Sequence, residues 1–154
     1  MRLTLLGVGR LKDGPERILA DDYIGRTLPL ARQLGFRGVD EAEVASGGGL
    51  EAEGARLLTR IPEGAISLRL DEAGENITST ELARRLAAWR DDGQRDAVFL
   101  IGGAEGFSAD VRRVVPKSIA FGAQTWPHRL VRAMLAEQVY RAMTILAGTP
   151  YHKA

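Results

Sequence analysis

Ala97-Val98-Phe99-Leu100-Ile101-Gly102-Gly103-Ala104-Glu105-Gly106-Phe107 is the stretch whose reading decides the fold. An unbroken apolar run of strand-favouring residues stops at paired glycines. That is the pattern of a strand buried on both faces, and such strands belong to parallel sheets covered by helices. A short helix starting near Ser108 follows the glycines, so strand, glycine loop and helix stand in the order of a βαβ unit. On the N-terminal side, Thr78 and Glu81 form a capping box that starts a helix through Leu82, Leu86 and Trp89, ending near Asp91-Asp92-Gly93. On the C-terminal side, Ser118 to Phe121 reads as a strand. Pro127 at the first helical position then opens a last helix with Leu130, Val131, Met134, Leu135, Val139, Ala142, Met143 and Leu146 on its apolar face, capped by Gly148.

The same alternation runs back to the start of the chain. Arg2 to Gly9 is a short apolar run bounded by glycine, Gly14-Pro15-Glu16 opens a helix that runs to Gly35, and Phe36 to Ala45 returns to strand-like alternation. Ser46-Gly47-Gly48-Gly49 reads as an exposed linker. A phosphate-cradling loop needs Lys and Ser or Thr after its glycines, and here Leu50-Glu51 follows. A helix over Leu50 to Ile61, a strand over Ala65 to Leu70 and a turn over Asp71 to Asn76 complete the series. The expectation is one compact α/β domain over residues 1–154, a mostly parallel sheet with helices on both faces.

Composition narrows the chemistry. The 154 residues are 45% hydrophobic and 27% charged, which fits a globular domain and not a disordered or fibrous chain. With no cysteine there is no disulfide, thiolate nucleophile or zinc–thiolate site, and with two histidines, His128 and His152, no metal site is expected. No membrane span or signal peptide is recognisable, so a cytoplasmic protein is expected. The net charge of +1 hides an asymmetry: residues 1–110 carry 14 basic and 19 acidic side chains, residues 111–154 seven basic and one acidic. An anionic partner at the basic end, such as a nucleic acid, explains this. So does an acidic surface meeting a basic one within a monomer or dimer.

In parallel sheets, ligands gather beyond the carboxyl ends of the strands. Two loops there carry the candidate chemistry. Ile101 to Phe107 holds glycines that allow close backbone approach to a nucleotide, though Ile101 stands where a dinucleotide fingerprint has its first glycine. Phe121-Gly122-Ala123-Gln124-Thr125-Trp126-Pro127-His128 offers an aromatic wall, polar side chains and backbone groups fit for a heteroaromatic ring; the alternative is that Trp126 is core. The ending Tyr151-His152-Lys153 joins aromatic and basic groups of the kind that stack on bases and touch phosphates, unless it is simply a frayed tail.

These pieces, in this order, resemble one family. Leu100-Ile101-Gly102-Gly103-Ala104-Glu105-Gly106, Phe121 to His128, Leu130-Val131-Arg132, Leu135 to Ala142 and Pro150-Tyr151-His152-Lys153 are similar to the bacterial large-subunit ribosomal RNA methyltransferase H family, minimal members of the SPOUT methyltransferases. The likeness extends to Leu3 to Lys12 and to Leu70-Asp71-Glu72-Ala73-Gly74, and is poor between about Gly35 and Pro62. The resemblance implies transfer of a methyl group from S-adenosylmethionine to N3 of a pseudouridine in the helix 69 loop of 23S rRNA, position 1915, on assembled ribosomes. It also implies a homodimer and a C-terminal trefoil knot, with a cofactor-binding part over approximately residues 97–154. By position, Leu70, Gly102, Gly103 and Phe121, Gly122, Ala123, Gln124, Thr125 and Trp126 would line the cofactor pocket. His152, Tyr151 and Arg132 are the catalytic candidates, and Lys153, Arg129 and His128 the RNA contacts. Thr149, Gln124, Arg129 and Ala154 depart from the family's usual residues. The rival readings are a non-catalytic RNA-binding or ribosome-associated factor of the same fold and a small nucleotide-binding oxidoreductase.

Overall fold

The computed structural model describes residues 1–153. Five strands form one sheet: β1 (Arg2–Val8), β2 (Gly38–Val44), β3 (Ile66–Asn76), β4 (Asp96–Ile101) and β5 (Ser118–Ala120), in the order β2-β1-β4-β3-β5. Every pairing is parallel. The helices are α1 (Pro15–Gln33), α2 (Leu50–Thr59), α3 (Ser79–Asp91), α4 (Ala109–Val114) and α5 (His128–Ala147).

The two-residue repeat of the strands sorts the core into two layers. Leu3 and Leu5 of β1, Leu68 and Leu70 of β3 and Ala97, Phe99 and Ile101 of β4 point to one face, where α1, α3 and α5 cover them. Leu6, Val8, Val98 and Leu100 point to the other, against Leu57 of α2 and Val111 of α4. The run at 97–101 is therefore buried on both sides, as its unbroken hydrophobicity predicts. The apolar side of α5 is used inside the molecule: Leu135, Ala136, Val139, Ala142 and Met143 are all in the larger core.

Local chemistry sets the helix ends. Thr78 Oγ1 accepts from Glu81 N at 3.0 Å, Ser108 Oγ accepts from Val111 N at 3.2 Å, and Gly148 closes α5 at φ 72°. Pro127 is the residue before α5, not its first helical residue.

One expectation is overturned. Asp71 to Asn76 is not a turn but the continuation of β3, which leaves β4 and pairs with β5 across a register shift between Leu70 and Glu75. The turn chemistry is real, since Asp71 Oδ1 accepts from Ala73 N at 3.0 Å, but it is used to make an irregular strand. Gly74 allows it: a Cβ there would lie 2.8 Å from backbone atoms of Ser118 and Ile119. Backbone cannot yield as a side chain does. Gly74→Ala is therefore expected to destabilise the fold by about 1–3 kcal/mol, read as a lower urea midpoint.

Among the described residues no helix is long and apolar enough to cross a membrane, and no group of three or more His, Asp or Glu is placed to hold a metal.

Candidate active site

All five strands run the same way, so the loops after β1, β3, β4 and β5 emerge at one edge. There a cleft of about 320 Å³ opens. Eight of the nine residues expected to hold a cofactor line it: Leu70, Gly102, Gly103, Phe121, Gly122, Gln124, Thr125 and Trp126. Ala123 does not; it is exposed. His128, expected as an RNA contact, lines the cleft as well.

The loop after β5 is pinned over the cleft. Trp126 Nε1 donates to the Phe121 carbonyl at 2.9 Å, Gly122 N donates to Asn76 Oδ1 at 3.1 Å, and Thr125 Oγ1 donates to Glu72. Trp126 keeps 39% of its surface exposed, so it is a wall of the cleft and not core. Gly122 has φ 85°, and a Cβ added to it would meet nothing within 4 Å. On the opposite side the loop after β4 folds on itself, with Gly106 N donating to the Gly103 carbonyl at 3.1 Å. A Cβ on Gly102 would strike Gly106 O at 2.9 Å, whereas one on Gly103 would find ordinary contacts, Val8 Cγ1 at 3.4 Å being the nearest. Gly102 is thus needed for the loop's own shape. Gly103 lines the cleft without being required by the loop's own packing.

Polar groups at the rim escaped the sequence reading. Asp71, Glu72, Glu105 and Arg112 all line the cleft. Asp71, 11% exposed, accepts from Arg69 Nη1 and Arg112 Nη1, both at 2.7 Å. Burial disfavours its charge, but the Ala73 N–H, Arg112 and Arg69 outweigh that and hold its carboxyl below the usual range. Its signal in the sequence was the Asp-x-Ala of a presumed turn. Because the folded carboxylate titrates below its unfolded value, its stabilisation is present at neutral pH and is lost as pH falls through the folded value. The urea midpoint of the wild type is expected to drop more than that of Asp71→Asn between about pH 5 and about pH 3.

The three catalytic candidates do not line this cleft. Arg132, 4% exposed, lies on another side of α5. Its Nη1 donates to the Gly9 carbonyl at 2.8 Å, and its Nη2 pairs with Glu43 and, at 3.4 Å, with Glu41. A guanidinium so committed ties α5 to the loop after β1 and to β2, and it stands away from the cleft of its own chain.

Tyr151 and His152 are held against α5, further toward its C-terminus. Val131, which lines the cleft, and Glu137, which anchors the tail, are six residues apart, about 9 Å of helix rise. The tail is not frayed. Tyr151 packs edge-on against Tyr140 with centroids 4.8 Å apart, lies under Arg141 at 4.7 Å and donates its hydroxyl to Glu137 Oε1 at 3.0 Å. Arg141 also donates to Glu137 Oε1, and its Nη1 lies 3.2 Å from His152 Nδ1. Burial, with Tyr23 and Glu137 close by, pushes the Tyr151 hydroxyl well above the ordinary phenol value. Lys153 is exposed, and Ala154 lies outside the described residues.

The charge asymmetry resolves partly into intramolecular pairs. Of the seven basic residues after position 110, five pair with acids of the same chain: Arg112 with Asp71, Arg113 with Asp110, Arg129 with Glu16, Arg132 with Glu43 and Arg141 with Glu137. Lys117 and Lys153 remain exposed. Net charge along the sequence therefore overstates the free positive surface at this end.

Comparison with known proteins places this geometry. A family model described as "Predicted SPOUT methyltransferase" matches residues 1–152. The Ribosomal RNA large subunit methyltransferase H of Hyphomonas neptunium is 72% identical over 154 residues, the full length of both chains. The protein of the same name from Nitrobacter winogradskyi is 52% identical over 159 residues, covering 99% of each chain. Among solved structures, the SpoU methyltransferase AviRb from Streptomyces viridochromogenes in complex with AdoMet aligns with 95% of this chain and 58% of its own at 15% identity and a TM-score of 0.43, too distant to bear on this site. Full-length matches at these identities, over the same loops that build the cleft, mean that the chain belongs to the SPOUT methyltransferases and, within them, to the ribosomal RNA large subunit methyltransferase H family.

Proposed function

We propose that this protein transfers a methyl group from S-adenosylmethionine to N3 of the helix 69 pseudouridine of 23S rRNA, position 1915, working in the cytoplasm as a homodimer with a knotted cofactor-binding part over approximately residues 97–154. The observation that carries the reading is the glycine-floored cleft at the carboxyl edge of the parallel sheet, built by the irregular part of β3, the loops after β4 and β5 and the start of α5. The relatives' name supports an rRNA substrate.

The residues present fit such a cofactor. Leu70, Phe121, Val131 and Trp126 give apolar walls for adenine, and Gly103 and Gly122 leave the backbone open to it. Arg112 stands at the rim for a carboxylate, and Glu72 and Glu105 for cationic groups. When bound, the cofactor supplies an electrophilic methyl group on a sulfonium sulfur. The protein's part is to hold that carbon in line with N3 and to offset the charge that forms as N3 loses its proton.

The tail suits the second task. Arg141 has only donors to offer, so His152 Nδ1 accepts and the neutral ring carries its proton on Nε2. Held in this way, His152 is a hydrogen-bond donor to a developing N3 anion and not the base that abstracts the proton. Because the tail lies away from the cleft of its own chain, the dimer is the arrangement in which a tail serves the cleft of the second subunit.

The test is incorporation of labelled methyl groups from S-adenosylmethionine into rRNA of 70S ribosomes lacking the modification, beside calorimetric binding of the cofactor. Both are expected. Binding without incorporation would place the substrate elsewhere, and the absence of both would favour a non-catalytic ribosome-binding factor.

A further inference from the structure

The motif Gly9-Arg10-Leu11-Lys12-Asp13-Gly14 forms the loop between β1 and α1, and nothing in the cleft or the tail uses it. It emerges beside the glycine loop: β1 pairs with β4, Gly7 opposite Ile101, and Val8 Cγ1 sits 3.4 Å from the position a Cβ on Gly103 would take.

Alternate residues of this loop are tied down. Gly9 N donates to the Val44 carbonyl at 2.8 Å and the Gly9 carbonyl accepts from Arg132. Leu11 is buried; its N–H donates to Glu43 Oε2 at 2.8 Å and its carbonyl accepts from Arg17 Nη1 at 3.1 Å. The Asp13 carbonyl accepts from Arg129 Nη2 at 2.8 Å, next to the cleft-lining His128. Between these anchors the side chains of Arg10 and Lys12 stand exposed, and neither makes a hydrogen bond or ion pair among the described residues. Most arginines of this chain are paired, including five of the seven basic residues at the nominally basic end. The backbone that carries these two free cations is held at three points, so binding a ligand orders the two side chains but not the loop.

We infer that the Gly9–Gly14 loop is an RNA-contact element, in which Arg10 and Lys12 each neutralise a phosphate of the strand entering the cleft, and in which the Arg132–Glu43 pair acts as a positioning clamp. This rests on the rRNA reading above and names the surface through which the RNA is held. It also gives buried Arg132 a role: Glu43, its ion-pair partner, accepts the Leu11 N–H, and the Glu43 carboxyl is held below its usual range by Leu11, Arg132 and Arg17 against the effect of burial.

The test is binding of 70S ribosomes by co-sedimentation between 50 and 200 mM KCl, comparing wild type with Arg10→Ala/Lys12→Ala and with the charge-keeping Arg10→Lys/Lys12→Arg. Each phosphate contact adds about 0.7–0.9 to the log–log salt slope. The alanine pair should therefore lose about 1.4–1.8 from that slope, so that wild-type affinity falls about tenfold more than the variant's over this range. The charge-keeping pair should retain most of the wild-type slope, and calorimetric affinity for S-adenosylmethionine should be the same in all three. Equal slopes for wild type and the alanine pair would overturn the assignment, as would loss of cofactor affinity, which would make the loop part of the cofactor pocket. Methyl transfer by the wild type on the same ribosomes reports separately on the proposed function, so the two can fail independently.

Discussion

Removing Tyr151 to Ala154 is expected to lower methyl transfer to ribosomes by at least about a hundredfold while leaving cofactor affinity within about twofold of wild type. The separation follows from the geometry. Among the described residues none of the tail lines the cleft, so its walls survive the truncation. What is lost is the arrangement organised by Glu137: the Tyr151 ring that its hydroxyl anchors there and, through Arg141, the Nδ1-anchored ring of His152. Two observations guard against simple unfolding. Tyr151 and His152 are only half-buried, and Gly148 and Thr149, which close α5, are retained. His152→Ala alone should reproduce most of the loss in turnover, whereas His152→Gln, which keeps a donor, should recover part of it. Full activity in the truncated chain would remove the tail from the reaction.

Replacing Gly103 with Val should reduce cofactor affinity by at least about a hundredfold with the fold intact. A Cβ at this position meets only ordinary van der Waals contacts, Val8 Cγ1 at 3.4 Å and Glu53 Oε1 at 3.5 Å, so the loop accepts it. The γ-methyls then occupy the floor of a cleft of about 320 Å³, where a ligand needs close backbone approach. Gly103→Ala should give an intermediate loss. Gly102 is the contrasting control. A Cβ there strikes the Gly106 carbonyl, so Gly102→Ala should cost stability as well as affinity. Unchanged calorimetric affinity in Gly103→Val would move the cofactor away from this loop.

Much of the architecture was legible because the strands carry their burial in their periodicity. The 97–101 run had to be covered on both faces, and the capping residues Thr78, Ser108 and Gly148 mark real helix ends. The continuation of β3 was not legible. Asp71 to Asn76 has the composition of a turn, and only pairing with β5 across an irregular register makes it strand. That error also hid Asp71 and Glu72, which this irregular segment places at the cleft rim. The glycine and Trp126 loops could be found because ligand loops follow strands in parallel sheets. The bonding of Arg132 could not, because its partners Glu41, Glu43 and the Gly9 carbonyl are remote in sequence and belong to the weakest-patterned strand and to a loop. Net charge misled for the same reason: pairing is a tertiary property, and it removes five of the seven cations that suggested a basic end. The two left over are Lys117 and Lys153; Arg10 and Lys12, unpaired among the described residues in the loop after β1, lie in the half of the chain that is acidic overall.

The most direct test of the account is mass mapping of rRNA after methyl transfer from labelled S-adenosylmethionine to 70S ribosomes lacking the modification. A single labelled nucleotide is expected, the helix 69 pseudouridine, carrying the methyl group on N3. Label on any other nucleotide, or no label from a protein that binds the cofactor, would contradict it.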